Sequence, residues 1–385
     1  MKHSHLNSKV HEDWFVNFVG ACSVLFVILL LVGCGGSSDS AKIADSSNNP
    51  PVVTPPQPEP EPENPPKAIS QGIFHSAGFI RSNNESDTIV QPNIEGQDYI
   101  SGTLIRVAWK VVNPSEGVFD FSAIERELAQ ATIYDSNIHL AILDSNEIPQ
   151  YVLDQCETFN FVFRDQETHQ TCLPWDQQYQ GFKQALLAKL GAQFDDHPNL
   201  SAIYFSYAAM TNGIEMHWRV DEAEYTAAGY TPERLSTAYN DVMDMYNQAF
   251  PTTSVIMEIH EVFNSSELAD NAFEHCYEQL GSRCGVAIWW CASRMATNPN
   301  ELEYKVYHIA QQATVLSFAL CQTIGSFTTS PERFDQGQGW TSEQTFRFEM
   351  DFFINQGFQV FELWSNDVQN PSLVSIIQDE IAPRL

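Results

Sequence analysis

The stretch SAIYFSYAAMTNGIEMHW, residues 201–218, joins a strand-like run to a polar turn and a single acid. Ile203, Tyr204 and Phe205 belong to an apolar, aromatic run that is typical of a buried strand. A Thr-Asn-Gly turn ends the run, and Glu215 follows among aromatic residues. A core strand that leads directly to a carboxylate is typical of a site built where a strand of a sheet ends.

Seven further apolar runs resemble this strand, and amphipathic helical stretches separate most of them. Alternation of this kind predicts parallel βα units, and eight of them predict a (β/α)8 TIM barrel. We expect the strands at residues 72–79, 102–109, 139–143, 201–207, 253–260, 285–290, 317–322 and 357–363.

A doubly wound sheet is the rival architecture. It would be expected to carry a glycine-rich turn after the first strand, and the chain contains neither GxGxxG nor GxxxxGK. The segment that follows the first strand is a poor helix, so we expect the first βα unit to be irregular. In a barrel, Glu215 would lie in the loop after the fourth strand, at the mouth where functional residues gather.

The N-terminal part has a different character. Residues 14–33 form an apolar run, and LVGC at residues 31–34 resembles the lipobox of a bacterial lipoprotein signal peptide. The resemblance implies that residues 1–33 are a signal peptide and that Cys34 is lipidated, and Gly35 favours the outer membrane. An uncleaved membrane anchor is the alternative. Residues 34–67, rich in Pro and Ser, predict a disordered tether, and residues 68–385 predict the folded domain.

Composition narrows the classes of partner. The chain has 19 Lys and Arg against 49 Asp and Glu, a formal charge of −30. A polyanion of this size repels phosphate backbones, so we expect no nucleic-acid partner. Membrane contact is expected through the N-terminal lipid.

Cysteine spacing predicts disulfides rather than a metal site. Cys156 and Cys172 bracket a polar loop, and Cys276 and Cys284 lie at a helix end and the next strand start, so both pairs are plausible bridges. Cys291 and Cys321 fall in apolar strands and are expected to be buried thiols. The sequence contains no CxxC and no His/Cys cluster with zinc spacing, so neither a metal nor a cofactor is expected.

Besides the strand that leads to Glu215, two other predicted strands carry candidate catalytic acids. Glu362 is the only charge inside the apolar strand of GFQVFELWSND, and burial of an unpaired carboxylate is costly. The alternative is a structural acid paired with Arg106 or Lys110. Glu258 and Glu261 flank His260 at the end of the fifth strand, where one of them lies in the site or all three form a polar strand end.

Other residues at the predicted mouth suit sugar binding. Aromatic rings pack against the C–H faces of sugars, and amides, carboxylates and Arg106 bind hydroxyls or orient an acid. The alternative for each tryptophan is a place in the core. The candidate substrate-binding residues are Arg106, Trp109, Asn212, Trp218, His260, Trp290 and Trp364.

Two stretches resemble clan-A glycoside hydrolases, especially β-galactosidase-like members. GTLIRVAWKVVNPSEGVFDFSAIERELAQA, residues 102–131, carries their pattern of Arg106, Trp109, a Pro-x-x-Gly turn and then Phe-Asp-Phe. It departs from them with Asn113 where Glu is common. LPWDQQYQGFKQALLAKLGAQFDDHPNLSAIYFS, residues 173–206, resembles their third helix and fourth strand.

The resemblance implies hydrolysis of O-glycosidic bonds with retention. In that family an acid after strand four protonates the leaving oxygen, and a Glu on strand seven attacks the anomeric carbon. Here Glu215 is the general acid candidate and Glu362 the nucleophile candidate, although the predicted seventh strand holds no acid. If the strand count is shifted by one, Glu258 or Glu261 becomes the strand-four acid.

The missing strand-seven acid keeps a second function open, a non-catalytic barrel that binds glycans at the cell surface. A hydrolase of another bond is disfavoured because the sequence has no GxSxG and no metal triad.

Overall fold

The computed structural model describes residues 65–83, 89–90, 95–163, 166–218, 220–334 and 337–385. Eight parallel strands close into a barrel in the order β1-β10-β9-β8-β7-β6-β3-β2, which confirms the predicted TIM barrel and excludes a doubly wound sheet. The barrel strands are β1 Gly72–Ile80, β2 Ile100–Ala108, β3 Asn137–Leu143, β6 Leu200–Phe205, β7 Ser254–Glu258, β8 Cys284–Cys291, β9 Phe318–Thr323 and β10 Val360–Trp364.

Helices follow the strands, as the amphipathic stretches predict. Sequence-local caps fix several of their starts: the Asp176 side chain accepts the N–H of Tyr179, and Thr341 and Gln344 form a capping box. The helices are α1 Trp109–Val112, α2 Ser122–Ile133, α3 Gln150–Leu153, α4 Gln177–Phe194, α5 Glu222–Ala227, α6 Pro232–Ala249, α7 Glu267–Leu280, α8 Ser293–Thr297, α9 Tyr307–Leu316, α10 Ser342–Asn355, α11 Ser365–Val368 and α12 Pro371–Ile376.

The barrel strands are near-continuous apolar runs because both of their faces are covered. One face packs against the helices and the other fills the barrel interior. Inside, the Phe74 ring stacks on His139 with 3.8 Å between ring centroids. Gly102 leaves room for that ring, since a Cβ atom there would lie 2.3 Å from Cε1 of Phe74. The interior is therefore a packed core, and any site must lie in its upper part or at its mouth.

All eight predicted strands coincide with barrel strands, so the strand count is correct. Glu362 lies on the last strand and Glu215 follows the fourth, and the reading that shifts the count by one is wrong. Residues 84–88 and 91–94, where the irregular first βα unit was expected, lie outside the described residues.

A two-stranded antiparallel hairpin, β4 Thr158–Val162 and β5 Thr168–Cys172, is inserted between β3 and α4. The polar composition of this segment predicts only a loop. The predicted disulfides Cys156–Cys172 and Cys276–Cys284 are both present, and the first closes the base of the hairpin.

The expectation of free thiols at Cys291 and Cys321 is wrong, because the two residues form a third disulfide. The cause is topological. β8 and β9 are hydrogen-bonded neighbours, and their register places the two Cα atoms 5.5 Å apart, within the range that a disulfide requires. Two cysteines in separate apolar runs give no sign in sequence that their strands are adjacent.

The predicted signal peptide, Cys34 and nearly all of the predicted tether lie outside the described residues. Just before the domain, the Lys67 ammonium donates to the carbonyls of His197 (3.1 Å) and Leu200 (2.7 Å), at the start of β6. Within the described ranges, no helix combines the length and apolar character needed to cross a membrane.

Candidate active site

Glu362 lies inside the barrel with no exposed surface, and both of its oxygens accept hydrogen bonds. The Tyr204 hydroxyl donates to Oε1 at 2.8 Å, and Nδ1 of His139 lies 3.3 Å from the same oxygen. The Gln322 amide donates to Oε2 at 2.8 Å. These contacts from three strands offset the cost of burying the carboxylate.

Glu362 is a site candidate in the sequence, whereas its three partners are not. Each partner is a polar or amphipathic residue in an otherwise apolar strand, namely His139 in NIHLAIL, Tyr204 in LSAIYF and Gln322 in FALCQT. That signal is present in the sequence, but it does not say that the three side chains meet around one carboxylate.

Arg106 links this interior group to the mouth. It is 2% exposed, it donates to Oγ of Ser76 at 2.8 Å, and its guanidinium lies 5.0 Å from the ring centroid of Trp289. The indole N–H of Trp289 lies 3.3 Å from the Tyr204 hydroxyl. Burial lowers the pKa of Arg106, and the nearby charges of Glu362 and Glu215 oppose that shift. Both predicted catalytic acids thus lie within the electrostatic reach of one buried cation.

Residues 206–218, which we call the Glu215 loop, fold back over the barrel. Ile214 packs into the barrel-interior cluster, and Glu215 is 8% exposed. The side-chain oxygen of Asn212 accepts the backbone N–H groups of Ile214 (3.1 Å) and Glu215 (3.0 Å). Asn212, predicted to bind substrate, is thus engaged in holding the turn that presents the acid.

A second group of charges lies at the end of β7. Nδ1 of His260 lies 2.8 Å from one oxygen of Glu258, and the other oxygen accepts the backbone N–H of Met216 at 2.9 Å. Glu258 thereby ties the end of the Glu215 loop to β7. The His217 ring stacks on His260 with 4.9 Å between centroids.

Glu258, His260 and Glu261, which we call the β7 group, hold a proton tightly. Burial raises the pKa of Glu258, which His260 opposes and Glu215 reinforces. Burial alone would lower the pKa of His260, but Glu258, Glu215 and Glu261 outweigh it and raise the pKa to about 9. Burial also raises the pKa of Glu261. The acids and the imidazole therefore behave as one coupled proton-binding unit.

The predicted sugar-binding tryptophans are mostly packed inside the protein. Trp109 has no exposed surface and donates to Oδ1 of Asn113 at 3.3 Å. Trp218 and Trp290 are 7% and 2% exposed. Trp364 is half-buried and donates to the carbonyl of Thr323 at 2.9 Å, so it presents the largest free surface of the four.

Two grooves on the described surface lie away from these acids and are lined by other residues. One groove, of about 730 Å³, runs between α4 and α6 on the outside of the barrel. A smaller one of about 340 Å³ lies beside Asn113, Tyr151 and Phe182. Glu362 has no exposed surface, so a ligand that reaches it must displace side chains.

Comparison with known proteins shows similarity of fold but no similarity of sequence. No family model matches the sequence, and no curated protein is similar to it in sequence. Among solved structures, the exo-β-1,4-mannosidase Op5Man5 from Opitutaceae bacterium strain TAV5 is similar over 81% of this chain, with a TM-score of 0.50 and 10% identity. The chain covers 55% of that enzyme, about half its length.

Two further solved structures are similar at lower scores. Endo-glycoceramidase II from Rhodococcus sp. is 12% identical, with a TM-score of 0.46 over 78% of this chain and 74% of its own. A GH10 protein from Paenibacillus barcinonensis is 9% identical, with a TM-score of 0.47 over 81% of this chain and 95% of its own. The similarity to the mannosidase concerns the fold alone.

Proposed function

We propose that the barrel domain hydrolyses O-glycosidic bonds in an oligosaccharide or polysaccharide, with Glu215 as general acid/base and Glu362 as the second carboxylate. The observation that carries the proposal is that Glu362 and Glu215 both interact electrostatically with the buried guanidinium of Arg106. A fold that is shared with an exo-mannosidase adds support at the level of architecture.

The proposed chemistry follows the two-carboxylate scheme. Glu362 attacks the anomeric carbon while protonated Glu215 gives its proton to the leaving oxygen, so the glycosidic bond breaks as the glycosyl–enzyme bond forms. Glu215 then takes a proton from water, which attacks the same carbon and frees Glu362. The Tyr204, His139 and Gln322 contacts would hold the nucleophile in one orientation. Because Glu362 is enclosed, the groups around it must move when the sugar enters.

A non-catalytic glycan-binding barrel is the second candidate, and two observations favour it. Glu362 has no exposed surface and both of its oxygens are engaged, while β9, the position of the family nucleophile, carries no acid. In that case Glu362 would stabilise the barrel, and glycan would be held by rim residues such as Trp364.

We also propose that lipid on Cys34 anchors the chain to the outer membrane and that residues 34–67 tether the barrel to it. The LVGC motif and the Pro-rich composition support this proposal.

The test is release of reducing sugar by the full chain, purified in detergent, from chromogenic glycosides and a panel of polysaccharides. We expect turnover of at least one substrate, and its loss in Glu215→Gln and in Glu362→Gln. Retention of one polysaccharide on an affinity gel with no product would replace hydrolysis with binding. Full turnover in both variants would reject both residue assignments.

A further inference from the structure

We propose that a buried cluster of Asp144, Lys183 and Tyr179 positions the Glu215 loop, so that these three side chains set the placement of the acid without touching substrate. The proposal rests on the role of Glu215 in the proposed function. The residues lie at the end of β3 and near the start of α4, and none of them is a site candidate in the sequence.

The cluster is a fully enclosed ion pair with a phenol. The Lys183 ammonium donates to Oδ2 of Asp144 at 2.8 Å, and neither side chain has exposed surface. The Tyr179 hydroxyl donates to Oδ1 at 2.5 Å, and the N–H of Ser145 donates to the same oxygen at 2.6 Å. The Lys183 ammonium also lies 4.7 Å from the ring centroid of Trp109. Burial opposes the charge on Lys183, but Asp144 outweighs it and raises the lysine pKa.

The same residues hold the Glu215 loop at two points. At its start, the N–H of Ala208 donates to the Tyr179 hydroxyl at 3.4 Å, and the Tyr179 and Tyr207 rings stack at 5.0 Å. In its middle, the N–H of Asp144 donates to the carbonyl of Gly213 at 3.1 Å, two residues before Glu215. The cluster therefore touches the loop on both sides of the turn that carries the acid.

Backbone conformation shows that the loop and the cluster constrain each other. Ala208 has φ 48° and Ser145 has φ 64°, values that non-glycine residues adopt only when their surroundings impose them. Gly213 has φ 88°, and a Cβ atom there would lie 3.0 Å from the amide nitrogen of Asp144. The loop thus approaches the end of β3 more closely than a larger residue allows.

A buried ion pair is not needed to close a barrel, because apolar residues of similar volume serve stability as well or better. Its hydrogen bonds are directional. Here the Tyr179 hydroxyl and the backbone N–H of Asp144 also bond to the Glu215 loop. Directional bonding of this kind suits the placement of a catalytic group, where a shift of about 1 Å can cost on the order of 100-fold in rate.

The test compares Tyr179→Phe with Tyr307→Phe in the full chain. The first removes the hydroxyl that bridges Asp144 and Ala208. The second removes a buried hydroxyl that has no hydrogen-bond partner within the described part of the chain, so it is a matched control. Hydrogen exchange is followed in peptides from residues 206–218 and, as an internal reference, from α6.

We expect Tyr179→Phe to speed exchange in the Glu215 loop by about fivefold to tenfold, the effect of losing a hydrogen bond or two, and to leave α6 unchanged. We expect kcat to fall about tenfold while KM changes less than about twofold. Tyr307→Phe should change neither. Unchanged loop exchange, or faster exchange throughout the domain, would overturn the proposal. Faster loop exchange with an unchanged kcat would also overturn it.

Lys183→Met provides a second readout that does not need turnover. It leaves Asp144 without its cation, so the Asp144 backbone and the loop should loosen together, with faster exchange in residues 206–218 than in α6. If the parent chain turns over no glycoside, the exchange result alone decides whether the cluster holds the loop. The failure of the proposed function is then recorded separately by the absence of product.

Discussion

Two carboxylates at the same end of the barrel are treated differently by the fold. Glu362 lies in the interior and takes its partners from Tyr204, His139 and Gln322, each on a different strand. Glu258, at the end of β7, is bound to His260 two residues away and to the backbone of the Glu215 loop. The first acid is held by side chains across the barrel, and the second belongs to a local group of charges.

The difference separates a group held in place from a group that holds a proton. Glu362 accepts hydrogen bonds from a phenol and an amide, lies 3.3 Å from the His139 imidazole and interacts with the charge of Arg106. Around His260, burial raises the pKa of Glu258, and the surrounding acids outweigh burial and raise the pKa of His260. A nucleophile benefits from the first environment, and in the proposed function the second lies beside the loop that carries Glu215, the general acid candidate.

The largest effect is expected from Glu362→Gln. If Glu362 is the nucleophile, turnover should fall roughly 10³-fold or more. One end of the new amide must face a hydrogen-bond donor, so unfolding free energy should also fall by about 1–3 kcal/mol. Initial rates and urea denaturation of the same preparations measure both effects.

Glu127→Gln is the matched control for that variant. Glu127 is a fully buried carboxylate that accepts the backbone N–H groups of Ile89 and Val90, away from the mouth. It should lose stability and keep turnover. Equal turnover losses in the two variants at matched stability would show that Glu362 is structural.

Glu215→Gln is expected to have the second-largest effect on turnover. Loss of a general acid costs about 10²–10⁴-fold, and the loss is greatest for substrates whose leaving groups need a proton. We therefore expect kcat/KM of Glu215→Gln to depend steeply on the leaving-group pKa in a series of aryl glycosides, while Glu258→Gln keeps the parent slope. The opposite result would give the acid role to Glu258.

The sequence predicts the fold well because the pattern repeats. Eight apolar runs separated by amphipathic helices specify parallel βα units, and no single boundary decides the result. Features that depend on which strands are neighbours are harder to predict from the sequence. The Cys291–Cys321 bond needs β8 beside β9, and the β4–β5 hairpin lies in a segment whose polar composition resembles a loop.

The site can be predicted only in part from the sequence, because its contacts also depend on which strands are neighbours. Glu362 and Arg106 are noticeable as charges in apolar strands. Their surroundings are built from residues up to 223 positions apart, the separation of His139 and Glu362. Trp109 shows the opposite problem. Its position suits a sugar platform, yet the structure covers it with Tyr179 and Lys183, and composition alone does not tell a covered ring from a free one.

Removal of the Cys291–Cys321 bond by a double Cys→Ala substitution tests how the mouth is held together. The bond closes a 30-residue separation, for which loop-closure entropy predicts a loss of about 3–4 kcal/mol. The Cys276–Cys284 bond spans 8 residues and should cost about 1 kcal/mol less. Denaturation of both double variants in urea measures the order. A larger loss for the shorter loop would show that native packing, rather than loop length, sets the contribution.

The smallest effect concerns pH and the β7 group. Folding raises the pKa of His260 from its ordinary value of 6.5 to about 9, so the folded chain binds this proton more tightly than the unfolded chain. The resulting stabilisation is fully present below pH 6.5 and is lost as pH rises toward about 9, up to roughly 3 kcal/mol. The raised pKa of Glu258 acts in the same direction at lower pH, because its deprotonation is less favourable when the chain is folded.

Glu258→Gln should abolish the decline in unfolding free energy between pH 6.5 and 9, because burial then lowers the His260 pKa with less opposition. Asp244→Asn, which breaks the more exposed pair with His275 (2.7 Å), is the control and should keep the decline. Urea denaturation at pH 6.5, 8 and 9 gives the three slopes. If Glu258→Gln retains the parent slope, the proton is held by Glu215 and Glu261 instead, and the contrast between a positioned Glu362 and a proton-holding Glu258 no longer stands.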